Sequence, residues 1–316
     1  MTFSKNRLLD FLFGCVFIAG IFSVLVTLPL WFARKHWICD LFTHFRVQYS
    51  LALLCAALLL LFSARKKFSL LFLGFMSFQL LGIVPYYFPV ASSADGPLFK
   101  VVLANVNSTA GDPDQVLRYL QTTEADLVVI QEFSSRWGPL SEALSPTYPY
   151  QIKEIREDNF GMALFSKQPL FSEEVLFFSA KDIPSLSAEI QVGDQRVFVL
   201  ATHPVPPVSA DYTLARNRQL EDIAFFLADT TGPVLLVGDL NTSPWSPVFK
   251  DFLKNSGLRN SMKGFGIQPT WPSVLPPLWI PIDHLLYSDS LRVRDRRIGP
   301  SVGSDHFPLE VTVQLP

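Results

Sequence analysis

The order of apolar and polar residues divides the chain near residue 97. Before that point three apolar runs follow one another. Leu8 to Phe32 carries the single charge Asp10, while Val47 to Phe62 and Phe68 to Val90 carry none. A helix needs about 20 apolar residues to cross a bilayer core, with about 17 as the usual lower limit. The first and third runs meet that length. The second, 16 residues long, reaches it only with help from Phe45 and its flanks. No polar face is left for water, so the pattern predicts a membrane region over residues 1–91 with spans at 8–32, 45–62 and 68–90. A cleavable signal peptide fits less well, because its apolar core runs about 7–15 residues before a small-residue cleavage site. Here the first run is longer and ends in Pro29-Leu30-Trp31-Phe32.

Residues 92–97 gather Ser, Asp, Gly and Pro and read as a linker. After it the texture changes to short β-rich runs alternating with amphipathic segments. Strands are expected at 99–104, 127–130, 162–165, 175–178, 187–192, 197–201, 234–237, 282–287 and 309–313. Helices are expected at 113–121, capped by Asp112, and at 210–228 and 247–255. Consecutive strands without intervening helices exclude a purely parallel sheet. Two mixed sheets face to face with helices outside fit the order better, which makes residues 98–316 one α+β domain. The stretch QPTWPSVLPPLWIP, rich in Pro and Trp, reads as an irregular loop packed on the sheets.

Composition sharpens this division. The mean hydropathy of +0.28 owes most to the first part, which holds 14 of the 28 Phe in under a third of the chain. The short loops set an orientation: Lys5, Arg7, Arg65, Lys66 and Lys67 fall on one side of three spans, and Arg34, Lys35 and Arg46 on the other. The positive-inside rule then places the N-terminus in the cytoplasm and residues after 90 outside; with only two spans the second part would lie inside. The three cysteines, Cys15, Cys39 and Cys55, all precede the linker, so the second part has no disulfide scaffold or thiolate zinc site. From Pro97 onward, 18 Lys and Arg stand against 25 Asp and Glu, a formal charge of −7. A duplex-binding protein usually shows a basic face, and this balance argues against one.

Candidate chemistry sits where the strands end. Asn105 follows VVLA, Gln131-Glu132 follows DLVVI, and His203 follows VFVLAT. Asp239 and Asn241 follow VLLVG, Asp283-His284 lies in PIDHLLY, and Ser304-Asp305-His306 precedes FPLEV. Polar residues at the ends of buried strands face the crevice where sites are built. The three histidines after residue 97 all occupy such positions. A lone strand-end histidine is usually structural; three of three beside Asp or Thr is a different pattern.

The order Asn, Gln-Glu, Thr-His, Gly-Asp-x-Asn, Ile-Asp-His, Ser-Asp-His resembles the endonuclease/exonuclease/phosphatase superfamily across about residues 98–316. GDLNTSPW, PIDH and GSDHFPL carry the likeness. Joined to N-terminal apolar helices, the chain is similar to the membrane-bound branch that includes teicoplanin-resistance phosphatases and related bacterial proteins. The resemblance implies a four-layer αββα sandwich and a metal-dependent phosphoric ester hydrolase. It implies Glu132 as the principal ligand for magnesium, with manganese as the alternative, Asn105 nearby and Asp305 on the metal side. Magnesium keeps several waters, so one or two carboxylates plus substrate phosphate suffice. Asp239 and Asn241 match the pair that positions the nucleophilic water, His306 the histidine on the scissile phosphate with Asp283 as its partner, and His203 the second histidine of deoxyribonuclease-like and phospholipid-cleaving members.

Blander roles fit other residues. His284 is expected to face away if Asp283 faces in. Arg216, Asn217 and Arg218 either meet phosphate or form a solvated helix face, and Trp245 and Trp271 pack loops. The expected function is hydrolysis of a membrane-lipid phosphate or diphosphate, such as a polyprenyl diphosphate, from a multi-pass bacterial inner (cell) membrane anchor with the hydrolase on the periplasmic side. The alternatives are a membrane-tethered nuclease and an inactive scaffold of the same fold. Oligomeric state is not legible.

Overall fold

The computed structural model describes residues 5–61, 66–89, 96–178 and 182–315. Most of the expected linker, the basic residue Arg65 and the ends of the second and third apolar runs lie outside them.

The first part folds into α1 (Lys5–Thr27), α2 (Trp37–Thr43), α3 (Arg46–Leu61) and α4 (Lys66–Leu80). α1 stops short of Phe32 because Pro29 opens a tight turn over Pro29–Phe32. α4 ends at Leu80, not Val90, and a second short turn, Val84–Tyr87, follows. Pro85 disfavours helix at the residue before it. At Gly82 the guanidinium of Arg46 fills the space a Cβ would need. Among the described residues no single helix is long and apolar enough to cross a membrane. The pair α2 and α3, bent by 65°, passes that test only together. The bundle packs around Leu53, Ala56, Ala57, Leu60 and Phe72, yet its outer surface leaves Ile18, Phe22, Leu51, Leu58 and Leu70 exposed.

The second part is two six-stranded sheets. Its strands are β1 (Leu98–Asn105), β2 (Leu127–Gln131), β3 (Tyr150–Glu154), β4 (Met162–Ser166), β5 (Leu170–Phe177) and β6 (Pro184–Val192). β7 (Gln195–Thr202), β8 (Val234–Asp239), β9 (Arg259–Asn260), β10 (Asp283–Tyr287), β11 (Arg292–Ile298) and β12 (Leu309–Gln314) complete the set. One sheet runs β11-β12-β1-β2-β4-β3 and the other β5-β6-β7-β8-β10-β9. Both are mixed: β1 with β2 and β7 with β8 are parallel, and the other pairings are antiparallel. The inner faces meet through Val101, Leu103, Val129, Leu186, Val199 and Val237. On the outer face of the first sheet α5 (Pro113–Thr123) and α6 (Gly138–Leu144) cover Val102, Ala104 and Val128. On the second, α7 (Ala210–Ala228) and α8 (Pro247–Ser256) cover Leu200, Leu236 and Leu286. The result is the α/β/β/α sandwich. Asp112 caps α5 as its sequence suggests, accepting from the amides of Asp114 and Gln115. The strands β3, β9 and β11 and the helix α6 were not anticipated.

Polar contacts tie the two parts together. Asp40, on α2, lies 2.6 Å from Arg216 on α7 and accepts a 2.6 Å hydrogen bond from Ser246. Gln48 donates to the carbonyl of Trp279, Trp245 donates to that of Gly82, and the Tyr86 carbonyl accepts from the amides of Gly264 and Gly266. Arg216 corrects a sequence expectation. Neither solvated nor free to meet phosphate, it is fully buried and held by a carboxylate from the apolar third of the chain.

Candidate active site

The pairing register brings the acidic strand ends together. β8 and β10 are antiparallel with Asp239 opposite Asp283, so the two side chains share a face at adjacent positions. β7, on the other side of β8, runs out into His203. In the first sheet, β1 and β2 are parallel with Asn105 opposite Gln131, which sets Asn105 beside Glu132. Gln131 joins the sheets: its amide nitrogen donates to the Thr202 carbonyl and its oxygen accepts from the Asp239 amide, both at 2.8 Å. Gly238 permits this approach, because a Cβ there would collide with the Thr202 carbonyl.

Glu132 has φ 63°, a left-handed conformation that a non-glycine residue rarely holds without support. The support is visible. Its carboxylate accepts from Asn105 Nδ2 at 3.0 Å and from the Ser108 amide at 3.1 Å. Asp305 accepts from Asn107 Nδ2 at 2.9 Å and from Trp271 Nε1 at 3.1 Å. Trp271 therefore does more than pack a loop, since it orients an acidic side chain of the centre.

His306 donates from Nδ1 to Asp283 Oδ2 at 2.8 Å, and its Nε2 lies 3.8 Å from Asp239 Oδ2. Burial opposes its charge, but Asp283 and then Asp239 outweigh that and raise its pKa to about 10. Asp283 is likewise buried, and its imidazolium partner holds it below the ordinary carboxyl value. His203 Nε2 lies 3.6 Å from the same Asp239 oxygen. Burial again opposes protonation, and the Asp239 carboxylate wins, so the pKa of His203 is raised. Asp239 is itself oriented by the Asn241 amide at 2.7 Å, and Asn241, at φ 49°, donates its side-chain amide to the Pro204 carbonyl. The structure thus gathers Asn105, Glu132, His203, Asp239, Asn241, Asp283, Asp305 and His306 at one end of the sandwich. His284 points the other way, onto the Thr242 carbonyl and the ring of Phe249.

Asp239, Asp283 and His306 offer ligand atoms within 4.8 Å of one another. The short Asp283–His306 bond makes that trio a hydrogen-bonded dyad facing a carboxylate. Glu132 and Asp305 are further oxygen donors that could hold a cation. Their oxygens carry no imidazole partner, their orientation is fixed by amide and indole donors, and an all-oxygen set suits a hard divalent cation.

Glu132, His203, Asp239, Asn241, Asp305 and His306 form the floor of a cleft of about 760 Å³. Its walls are Phe160, Pro206, Pro207, Val208, Tyr212, Ile280 and Ile282, together with Leu41, His44 and Phe45 from the helical part. The 158–160 loop and the 41–45 segment escaped sequence reasoning. The first carries no strand-end signal, and the second lies in the short stretch between the first two apolar runs.

The chain belongs to the endonuclease/exonuclease/phosphatase family, whose sequence model matches residues 102–306. Members of that family are hydrolases of phosphoester bonds. Solved structures agree in fold. An endonuclease/exonuclease/phosphatase from Beutenbergia cavernae superposes with a TM-score of 0.59 at 18% identity, over 69% of this chain and 72% of that one. D. rerio TDP2 complexed with a single-strand DNA product gives 0.57 at 14% identity over 69% and 99%. Sphingomyelinase C from Streptomyces griseocarneus gives 0.53 at 20% identity over 68% and 99%. No curated protein matches the chain.

Proposed function

We propose that this protein is a membrane-anchored, magnesium-dependent phosphoesterase that hydrolyses the phosphate ester or diphosphate of a membrane lipid. The observation that carries the reading is the lining of the cleft. Four carboxyl side chains, Glu132, Asp158, Asp239 and Asp305, and apolar groups surround it, and among the described residues no lysine or arginine does. A nucleic-acid track needs cations for successive phosphates. A single phosphate joined to an apolar chain needs one charged centre and a greasy wall, which is what these residues provide. Similar folds include both a sphingomyelinase and a DNA-bound TDP2, so the fold leaves the choice to the lining. Anchoring is supported by the exposed apolar residues on α1, α3 and α4, a surface of the kind that marks a membrane or partner contact. With three crossings, the basic loops support a hydrolase on the outer side of a bacterial inner membrane.

Glu132 and Asp305, with Asn105, would hold the cation, which when bound stabilises charge on the phosphoryl oxygens. The chain's own groups divide the remaining work. Asp239, oriented by the Asn241 amide, sits between the two imidazoles and receives the proton of the attacking water. The His306 imidazolium, kept charged by Asp283, faces the negative charge that grows on the phosphoryl group. His203, also biased towards its charged form, stands on the other side of Asp239, within reach of the leaving oxygen. The test is catalytic efficiency of one full-length preparation with magnesium on undecaprenyl diphosphate and phospholipids in mixed micelles, against single- and double-stranded DNA. Turnover of a lipid phosphate with little DNA cleavage is the expected result; efficient DNA cleavage with no lipid turnover would make it a tethered nuclease.

A further inference from the structure

The segment between α2 and α3 reaches into the cleft. His44 is 4% exposed. Its Nδ1 accepts from the Ser243 amide at 3.3 Å and lies 2.9 Å from the Ser243 hydroxyl. A nitrogen that accepts from an amide carries no hydrogen, so the imidazole hydrogen is on Nε2. That Nε2 is buried without a hydrogen-bond partner, although His44 lines the cleft. An unsatisfied buried donor costs about 1–3 kcal/mol and calls for an acceptor. Leu41 and Phe45, on either side of it, line the same cleft. They stand with Ile280, Ile282 and Val208, and carboxylates make up the catalytic floor. The segment is held in place rather than resting there: Asp40 binds Arg216 and Ser246 before it, and Gln48 binds the Trp279 carbonyl after it.

We propose that residues 41–45 form a substrate-recognition subsite that the helical part lends to the hydrolase. The Nε2–H of His44 donates to an oxygen of the bound phosphate or diphosphate, and Leu41 and Phe45 pack on the apolar chain attached to it. This rests on the lipid-phosphate reading and adds to it a recognition role for the helical part, because Leu41, His44 and Phe45 line the same cleft as Glu132, Asp239 and Asp305. Sequence motifs of the hydrolase domain contain none of these three residues, so the domain alone would hold the reaction chemistry without the full selectivity.

The experiment compares kcat/KM of the full chain on undecaprenyl diphosphate and on geranyl diphosphate, in the same mixed micelles. Removing a buried leucine or phenylalanine contact should lower the long-to-short ratio by roughly ten- to a hundred-fold for Phe45→Ala and for Leu41→Ala, mainly through KM. Two variants guard against one failing to fold, and Leu51→Ala on the outward surface of α3 is the control. In His44→Asn the side-chain oxygen can still accept from Ser243 while the Nε2–H donor is lost. Its kcat/KM should fall about ten- to a hundred-fold on both substrates, with Tm near that of the wild type. Chain-length selectivity that persists in Phe45→Ala and Leu41→Ala, or full activity of His44→Asn, overturns the subsite and leaves the lipid reading standing. A wild type that turns over neither diphosphate nor any phospholipid overturns both.

Discussion

Asp40 and Arg216 form a buried ion pair between the helical part and the hydrolase. They are 2% and 0% exposed, and 2.6 Å separates carboxylate from guanidinium. Asp40→Ala leaves the guanidinium buried with only the Asn217 side chain and the Asn241 carbonyl as partners, and it leaves the Ser246 hydroxyl without its acceptor. Breaking a buried pair by removing one partner costs about 3–5 kcal/mol, which for a chain of this size is a fall of about 6–20 °C in Tm. Activity should suffer as well. Arg216 Nη1 donates to the Asn241 carbonyl at 2.9 Å, and Asn241, in its left-handed conformation, gives the amide that orients Asp239. A displacement of about 1 Å at such a residue can cost on the order of 10²-fold in rate. The charge-free double variant Asp40→Leu/Arg216→Met separates the two effects. Apolar replacement of a buried pair is often neutral for stability, so this variant should fold with near-normal Tm yet keep a reduced kcat, because the Asn241 carbonyl still lacks its donor. Both are measured on the detergent-solubilised full chain by thermal unfolding and initial rates. If Asp40→Ala unfolds within 1 °C of wild type and turns over at the wild-type rate, the clamp has no part in the site.

The remaining predictions concern chemistry and topology. Glu132→Ala and Asp239→Ala should lower turnover by orders of magnitude with circular dichroism unchanged; a folded, active Glu132→Ala would remove the cation-site assignment. His306→Ala should reduce kcat about 10²–10³-fold, the usual loss when one donor to developing charge is deleted, and an unchanged kcat would place the charge-stabilising group elsewhere. Chelation should abolish activity and added magnesium or manganese restore it, whereas rescue by zinc alone would contradict an all-oxygen ligand set. A reporter fused to the C-terminus that works only outside the cytoplasm should be active, and one that works only inside should be silent; the reverse pattern would mean an even number of crossings.

Much of the second part was legible because its signals are local. Buried strands are short and apolar, and each ends in the polar residue that reaches the site, so GDLNTSPW, PIDH and GSDHFPL marked strand ends and chemistry together. Local signals also explain what was missed. β11 reads RVRDRRI, charged enough to pass for a loop; as an edge strand it needs only one covered face, and of its charged residues Arg296 alone is buried. β3 is an edge strand too, with its residues exposed or half-buried. Arg216 looked like surface because nothing within its own helix says otherwise. Its partner lies 176 residues away, in a stretch whose apolar pattern hid the one carboxylate that mattered. The third apolar run is longer than the helix inside it, because Gly82 and Pro85 follow the end of α4 at Leu80.

The relation between the two parts follows from where the polar residues of the apolar third ended up. A pure anchor has no reason to keep Asp40, His44 and Gln48 between α2 and the first turns of α3, since each polar group is costly to bury without a partner. All three are matched by groups of the hydrolase: Asp40 by Arg216 and Ser246, His44 by Ser243, Gln48 by the Trp279 carbonyl. Ser243 and Ser246 lie in the loop that leaves Asp239, and Trp279 lies in the loop that carries Trp271 to Asp305. The contacts from the helical part therefore converge on the two loops that set the catalytic carboxylates. The fold is one that this chain shares with a sphingomyelinase and a DNA-bound TDP2 alike. Substrate choice is decided one layer further out, by whatever covers the cleft. Here the cover is largely apolar, has no lysine or arginine among the described residues, and is partly built from helices that themselves present leucine and phenylalanine outward. The lipid-phosphate proposal therefore rests on that cover as much as on the strand-end residues beneath it.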